Sequence, residues 1–157
     1  MFLAEDIMTS PTITIGKDKN VKEALELLAE NNISGIPVTD EESKVIGIIS
    51  GADIIRYSQQ KKLIPSSSTS IWVAPLGNTD DDLQMIRSGY EKLYRTMVEQ
   101  IMTKKVYTAS KDTPISDLAK LMSRRNVNRI PIVNKDNHVV GIVTRNDLVK
   151  YMAGAES

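Results

Sequence analysis

The sequence offers little material for metal, thiol or nucleic-acid chemistry. It contains no cysteine and a single histidine, His138. The lack of cysteine excludes a disulfide framework and a thiolate nucleophile, and one histidine excludes a histidine-rich metal site. Lys plus Arg and Asp plus Glu each number 20, so no net charge steers the protein towards nucleic acid. We therefore expect no bound metal and do not favour nucleic acid as a partner.

The sequence also has no long apolar run and none of the familiar catalytic motifs. No run approaches the roughly 18–20 apolar residues of a membrane-spanning helix. The first residues, MFLAEDIM, place acidic residues directly after three apolar ones, unlike a secretory signal. A phosphate-binding glycine loop, an activated nucleophile and a spacing of metal ligands are all missing. We therefore expect a soluble, cytoplasmic protein that is not an enzyme and has no catalytic residues.

One fragment occurs twice. VIGIISGADII at residues 45–55 returns as VVGIVTRNDLV at 139–149, a shift of 94 positions (139 − 45). At this shift, 16 of the 53 positions in 5–57 are identical to their partners in 99–151. About 55 residues bury too little surface to be stable alone. The repeat therefore indicates two copies of one structural unit, each covering an apolar face of the other.

Residue patterns predict the same order of elements in both repeats: strand, helix, strand, strand, helix. Helical spacing of apolar residues marks the first helix of each repeat, and β-branched runs joined by polar turns predict hairpins. Thr113-Pro114 places an N-cap residue before a proline at the first helical position. The predicted elements are a strand at 12–15, a helix at 20–31, strands at 35–39 and 45–50, a helix that starts near residue 50, a helix at 114–125, strands near 129–133 and 138–143, and a helix at 145–152.

A stretch of different character separates the repeats. Residues 58–79 are rich in Ser and Pro and predict an irregular loop, in which the apolar Ile71–Val73 packs on its own domain or on a neighbouring subunit. A helix at about 80–98 follows, with apolar residues spaced three and four apart. This helix lies either on its own core or against a partner subunit. Its apolar residues are Leu83, Ile86, Tyr90, Leu93 and Met97.

The segment Gly141–Asp147 is the best candidate for chemistry. A buried strand runs directly into a helix, with Thr144 at the junction and Asp147 in the first turn. The hydroxyl can cap free backbone N–H groups or bind a ligand, and the positive end of a helix favours a phosphate nearby. The carboxylate can accept two hydrogen bonds from a ribose diol. The same pair of residues is also a helix-capping pattern, so both interpretations stay open.

The repeated motifs together resemble a pair of CBS domains, the tandem known as a Bateman module. The resemblance covers 5–57 and 99–152. Each repeat has an Ile-Met-Thr opening, an Ile-Pro strand and a Gly-Ile-x-Ser/Thr-x-x-Asp junction. The matching fragments are EDIMT at 5–9 with EQIMT at 99–103, and NISGIPV at 32–38 with NVNRIPI at 126–132.

This resemblance implies an α/β (α+β) fold of two βαββα-type repeats related by a pseudo-twofold axis. We expect CBS repeat 1 at 1–57, an inter-repeat linker at 58–97 and CBS repeat 2 at 98–157, together one Bateman module. Many members of the family bind adenosine nucleotides in two clefts between the repeats, and modules commonly pair into a disk-like dimer. The resemblance therefore implies an adenosine ligand and a homodimer.

The family's roles, carried over by position, imply a main cleft headed by Asp147, whose carboxylate would take the ribose hydroxyls. Thr144 would meet ribose or phosphate, and Ile142 would pack on the base. Arg129 stands where nucleotide-binding relatives place a basic residue that faces phosphate. The implied set is Thr9, Thr12, Ile33, Ser34, Asn128, Arg129, Ile142, Thr144, Arg145 and Asp147.

The same comparison implies a weaker second cleft headed by Asp53. It has Gly35 where the main cleft has Arg129, so the cation that faces phosphate is missing. We expect this cleft to be weak, empty or selective for a nucleoside. Its implied residues are Ile48, Ser50, Asp53, Thr103 and Val127.

The sequence is therefore interpreted as a regulatory module that binds an AMP-, ADP- or ATP-like ligand between two CBS repeats and signals by a change of conformation to a downstream protein. The nucleotide would be a regulatory ligand rather than a catalytic cofactor. The alternatives are a structural or protein-interaction module without a physiological nucleotide, and binding of S-adenosylmethionine or nucleic acid.

Overall fold

The computed structural model describes residues 1–64 and 80–154. It consists of helices and short strands, with one strand hairpin in each repeat, as the repeat pattern predicts. The predicted Ile71–Val73 patch and most of the predicted loop at 58–79 lie outside the described residues.

The first repeat forms its predicted elements with shifts at their ends, and a short helix that was not predicted, Ala4–Ile7, precedes them. The first strand, predicted at 12–15, is a strand of two residues at Ile15–Gly16, and before it Thr12 Oγ1 donates to the Thr9 carbonyl at 3.2 Å. The Asn20 side chain caps the following helix by accepting a hydrogen bond from the Glu23 N–H at 3.0 Å. The elements are α1 Ala4–Ile7, β1 Ile15–Gly16, α2 Val21–Glu30, β2 Gly35–Thr39, β3 Val45–Ser50 and α3 Gly51–Gln60.

The second half differs from prediction at several element ends; the last helix, for example, continues to Gly154 rather than to residue 152. The helix predicted at 80–98 ends at Arg95, where the Thr96 hydroxyl donates to the Lys92 carbonyl, and a separate short helix follows. The helix predicted at 114–125 begins one residue later because Pro114 has extended backbone and is the N-cap. The elements are α4 Asp80–Arg95, α5 Val98–Ile101, α6 Ile115–Arg125, β4 Arg129–Val133, β5 Val139–Thr144 and α7 Arg145–Gly154.

The strands of the two repeats pair in related ways. β1, β2 and β3 form one sheet in that order, with β1 parallel to β2 and Ile15 opposite Val38. β4 and β5 form an antiparallel pair. Ala109 makes a parallel bridge to Ile132, and these positions correspond to Ile15 and Val38 at the shift of 94. The second repeat thus keeps the contact of the first strand as a single bridge.

The chain divides into two compact units whose borders do not follow the repeats. Unit 1 contains Met1–Gly16, Pro37–Ile48 and Lys104–Ser157, and unit 2 contains Lys17–Ile36 and Ile49–Thr103. Each unit therefore combines segments of both repeats.

In unit 1, the N-terminal segment of the first repeat joins the second repeat. The Ala4 N–H donates to the Thr113 carbonyl at 2.8 Å, and the Ile115 N–H donates to the Phe2 carbonyl at 3.1 Å. These bonds satisfy backbone groups next to the start of α6, which has no side-chain cap. The segment thereby places Ala4 in the apolar core of the second repeat. That core consists of Ala4, Ile115, Leu118, Met122, Ile130, Ile132, Val143 and Leu148.

In unit 2, the start of the second repeat joins the first repeat in the same way. The Val21 N–H donates to the Thr96 carbonyl and the Val98 N–H donates to the Lys19 carbonyl, both at 2.8 Å. The start of the second repeat thus completes the backbone hydrogen bonding at the start of α2. The segment at the start of each repeat therefore pairs with the start of the first long helix of the other repeat.

Helix α4 is buried only along part of its apolar stripe. Leu93 is 3% exposed, and Gly89 lies so close to the Leu63 carbonyl that a Cβ atom would overlap it. The C-terminal half of α4 thus lies on the core of unit 2. This agrees with the first of the two predicted alternatives, in which the helix lies on its own core. The remaining apolar residues of the stripe are exposed, namely Leu83, Ile86 and Tyr90.

Candidate functional site

The junction between β5 and α7 brings Thr144 and Asp147 together as a reciprocal cap. The Asp147 N–H donates to Thr144 Oγ1 at 3.2 Å, and the Thr144 N–H donates to Asp147 Oδ2 at 2.8 Å. The capping interpretation is therefore confirmed. Among the residues that the structure describes, Asp147 Oδ1 accepts no hydrogen bond. The cap fixes the orientation of the half-buried carboxylate and leaves one of its oxygens available to a ligand.

The first repeat contributes a backbone pair beside this junction. Thr9 and Ile142 form an antiparallel bridge, in which the Thr9 N–H donates to the Ile142 carbonyl at 2.9 Å and the Ile142 N–H donates back at 3.1 Å. Met8 lies against Gly141, where a Cβ atom would overlap the Met8 sulfur. The structure thus brings Thr9 beside the strand that leads to Thr144, and Gly141 permits this close approach.

The basic residues of the predicted site also lie at this junction. Arg129 is directly opposite Thr144 in the register of β4 and β5, and side chains at such positions are close neighbours. The Arg145 N–H donates to the Asn128 carbonyl at 2.8 Å. Asn128, Arg129, Thr144 and Arg145 therefore surround the end of one strand pair within unit 1.

The corresponding junction of the first repeat, between β3 and α3, has the same cap. The Ser50 N–H donates to Asp53 Oδ2 at 3.0 Å, and the Asp53 N–H donates to Ser50 Oγ at 3.2 Å. The Gly51 N–H donates to the Ser34 carbonyl at 3.2 Å. This junction therefore brings Ser34, Ser50 and Asp53 together within unit 2.

The environment of the Asp53 carboxylate differs from that of Asp147. Asp53 Oδ1 accepts hydrogen bonds from Thr103 Oγ1 and from Arg56 Nη1, both at 3.2 Å. Only 10% of the Asp53 side chain is exposed, compared with 61% of the Arg56 side chain. Arg56 was not among the predicted residues. Its spacing of three from Asp53 on a helix is a signal that could have identified it.

The remaining predicted residues are divided between the units. Ile33 and Ser34 belong to unit 2, whereas most of the main predicted set belongs to unit 1. In the weaker set, Ile48 and Val127 belong to unit 1, and Val127 packs against the unit 1 core. The arrangement of these residues as opposite walls of two clefts stays a prediction.

Comparison with known proteins identifies the family. The CBS domain profile matches residues 4–60 and 98–154. The chain therefore belongs to the CBS domain family and contains two CBS repeats, as the motif resemblance implies.

Similar proteins contain this pair of repeats either as most of their length or as a small part of a longer chain. The chain is 34% identical over 156 residues to protein MJ1426 of Methanocaldococcus jannaschii, a match that covers 97% of this chain and 92% of that protein. It is 30% identical to L-aspartate semialdehyde sulfurtransferase of the same organism, over 97% of this chain but 23% of that enzyme.

A solved structure shows the same fold. The CBS domain pair of protein MJ0100, in complex with 5′-methylthioadenosine and S-adenosyl-L-methionine, is 29% identical to this chain. The match has a TM-score of 0.72 and covers 99% of each chain. No helix within the described residues is long and apolar enough to cross a membrane.

Proposed function

We propose that this chain is a regulatory module that binds an adenosine ligand at the junction of β5 and α7. The observation that carries the proposal is the Asp147 carboxylate, whose Oδ2 is held by the Thr144 N–H at 2.8 Å. Its Oδ1 has no hydrogen-bond donor among the described residues and can accept from the two hydroxyls of a ribose. A carboxylate that is already oriented loses little conformational entropy on binding.

The proposed ligand class is supported from two directions. The CBS pair of MJ0100, 29% identical to this chain, was solved with two ligands that both contain adenosine. In this chain, Ile142 is half-buried in β5 and is proposed to pack on the base. Adenosine is therefore the shared chemistry that we assign to the site.

Arg129 makes a nucleotide the preferred form of that ligand. It lies opposite Thr144 across the strand pair, close to the start of α7, whose helix dipole also favours a phosphate. A guanidinium forms stronger, charge-assisted hydrogen bonds with phosphate oxygens than a neutral donor does. We therefore propose AMP, ADP or ATP as the ligand, with its phosphate near Arg129 and Thr144.

S-adenosylmethionine is the second candidate, because MJ0100 binds it and its adenosine half would use the same contacts. It carries no phosphate, but the carboxylate of its methionine part can also accept charge-assisted hydrogen bonds from Arg129. A structural module without any ligand is the remaining alternative. Calorimetric titration with AMP, adenosine and S-adenosylmethionine separates these candidates. AMP should bind more tightly than adenosine, and absence of binding by all three would refute the proposal.

The proposed output is a change of conformation. A ligand shifts a conformational equilibrium only if it binds one state more tightly than the other. We propose that the adenosine ligand binds one conformation of the module more tightly than another and so changes the populations of the two. We further propose that the module is a cytoplasmic homodimer that acts on a downstream protein.

A further inference from the structure

The two junction aspartates are equivalent in sequence but differ in the donors around them. Asp53 Oδ1 accepts from both Thr103 Oγ1 and Arg56 Nη1 at 3.2 Å. An ionised carboxylate has about two acceptor positions on each oxygen, so both positions on this oxygen are occupied by the chain itself. Asp53 Oδ2 is engaged by the Ser50 N–H at 3.0 Å.

The second repeat has the same residue classes at the equivalent positions without these contacts. At the shift of 94, Arg56 corresponds to Lys150 and Thr103 corresponds to Thr9. In the described part of the chain, neither the Lys150 nor the Thr9 side chain bonds to Asp147. The aspartate of one repeat is therefore open, and the aspartate of the other is engaged.

We infer that Arg56 closes a second adenosine-binding junction by occupying the Asp53 carboxylate, so that this junction opens only when Arg56 is displaced. The inference rests on the proposed function, because it assigns to Asp53 the diol-binding role proposed for Asp147. The Arg56 side chain can be displaced from the Asp53 carboxylate. It is 61% exposed and can move into solvent, whereas the nearly buried Asp53 cannot leave the junction.

The opened junction would take a nucleoside and would not distinguish it from a nucleotide. β2 begins with Gly35, whereas β4 begins with Arg129 at the equivalent position. The first repeat therefore lacks the cation that the second repeat offers to a phosphate. Adenosine is the probe of choice, because its binding at this junction depends on the carboxylate and not on a phosphate contact.

The test is calorimetric titration of adenosine and AMP into the wild type, Arg56→Ala and the matched control Lys150→Ala. The wild type and the control should show one site per chain. Arg56→Ala should show a second site for adenosine, at least about tenfold tighter than any second phase of the wild type, and AMP should bind there equally well. Adding Asp53→Ala to Arg56→Ala should remove that second site, and Asp53→Ala alone should leave the first site intact.

The outcomes separate this inference from the proposed function. One unchanged tight site in every variant would refute the closure by Arg56 while leaving the Asp147 site in place. If the wild type already shows a second binding phase and Arg56→Ala loses it, then Arg56 is a ligand contact, and the closure of the Asp53 junction by Arg56 is refuted. Absence of binding by both adenosine and AMP in all variants would refute the closure by Arg56 and also the proposed nucleotide site at Asp147. If Arg56→Ala does not fold, Arg56→Lys provides the same test, since it introduces the residue type that leaves Asp147 open.

Discussion

Replacement of Asp147 by alanine is the most direct test of the binding site. The change removes the carboxylate oxygen that is free to accept from a ribose diol and also the Oδ2 atom that accepts from the Thr144 N–H at 2.8 Å. A hydrogen bond to a charged group contributes about 1.5–3 kcal/mol. Affinity for AMP should therefore fall roughly ten- to a hundredfold, since each 1.4 kcal/mol is a factor of about ten.

The same substitution also weakens the cap of α7, and this effect must be separated from ligand binding. Loss of an N-cap partner costs about 0.5–2 kcal/mol of stability, which thermal unfolding of the free protein measures directly. Asp117→Ala is a matched control, because it removes another carboxylate from the first turn of a helix, α6. Asp147→Asn is a second variant, because its amide oxygen can still accept from the Thr144 N–H although the charge is lost.

Isothermal titration calorimetry with AMP is the assay. Asp117→Ala should bind AMP as the wild type does, whereas both Asp147 variants should bind it more weakly. If Asp147→Ala is folded and binds AMP with undiminished affinity, the assignment of the ribose to this carboxylate is wrong. If Asp117→Ala loses as much affinity as Asp147→Ala, the effect is one of general electrostatics and not of a specific contact.

Three further outcomes are expected. Arg129→Ala should lower the affinity for AMP by at least about tenfold, through loss of a charge-assisted hydrogen bond, but should barely change the affinity for adenosine. Equal losses of affinity for the two ligands in calorimetry would mean that the arginine is structural. Leu118→Ala removes a fully buried side chain from the unit 1 core and should lower the free energy of unfolding in urea by about 2–5 kcal/mol, whereas Ile55→Ala, at an exposed position outside α4, should change it by about 0.5 kcal/mol or less. Light scattering at micromolar concentration should give a dimer mass, because the exposed apolar residues of α4 are typical of an association surface; a monomer mass would remove that prediction.

Much of the local structure follows from residue patterns that act within a few positions. The hairpin strands 35–39 and 45–50 and the strand-to-helix junctions were predictable because their hydrogen bonds join residues close in sequence. The differences from prediction arise where local signals are weak. Pro114 is the N-cap rather than the first helical residue, and the α4 helix stops at Arg95, before a short separate helix that the apolar spacing alone does not reveal.

The repeat in the sequence by itself determined that the protein has two copies of one unit and that each copy has an aspartate in the first turn of its last helix. It could do so because a repeated pattern of apolar residues, glycines and caps specifies the same local hydrogen bonds in both copies. Only the tertiary structure decided how the copies share their parts, since the bonds of Ala4 to Thr113 and of Val98 to Lys19 join residues far apart in the chain.

The tertiary structure also decided which of the two equivalent carboxylates is open. Asp53 and Asp147 stand in nearly identical motifs, and their caps are alike. They differ because Thr103 approaches Asp53 from a distance of 50 positions in the chain, together with the nearby Arg56, while Asp147 retains an oxygen without a donor among the described residues. A motif determines that a carboxylate is present, but the donors that reach it across the fold determine whether a ligand can use it.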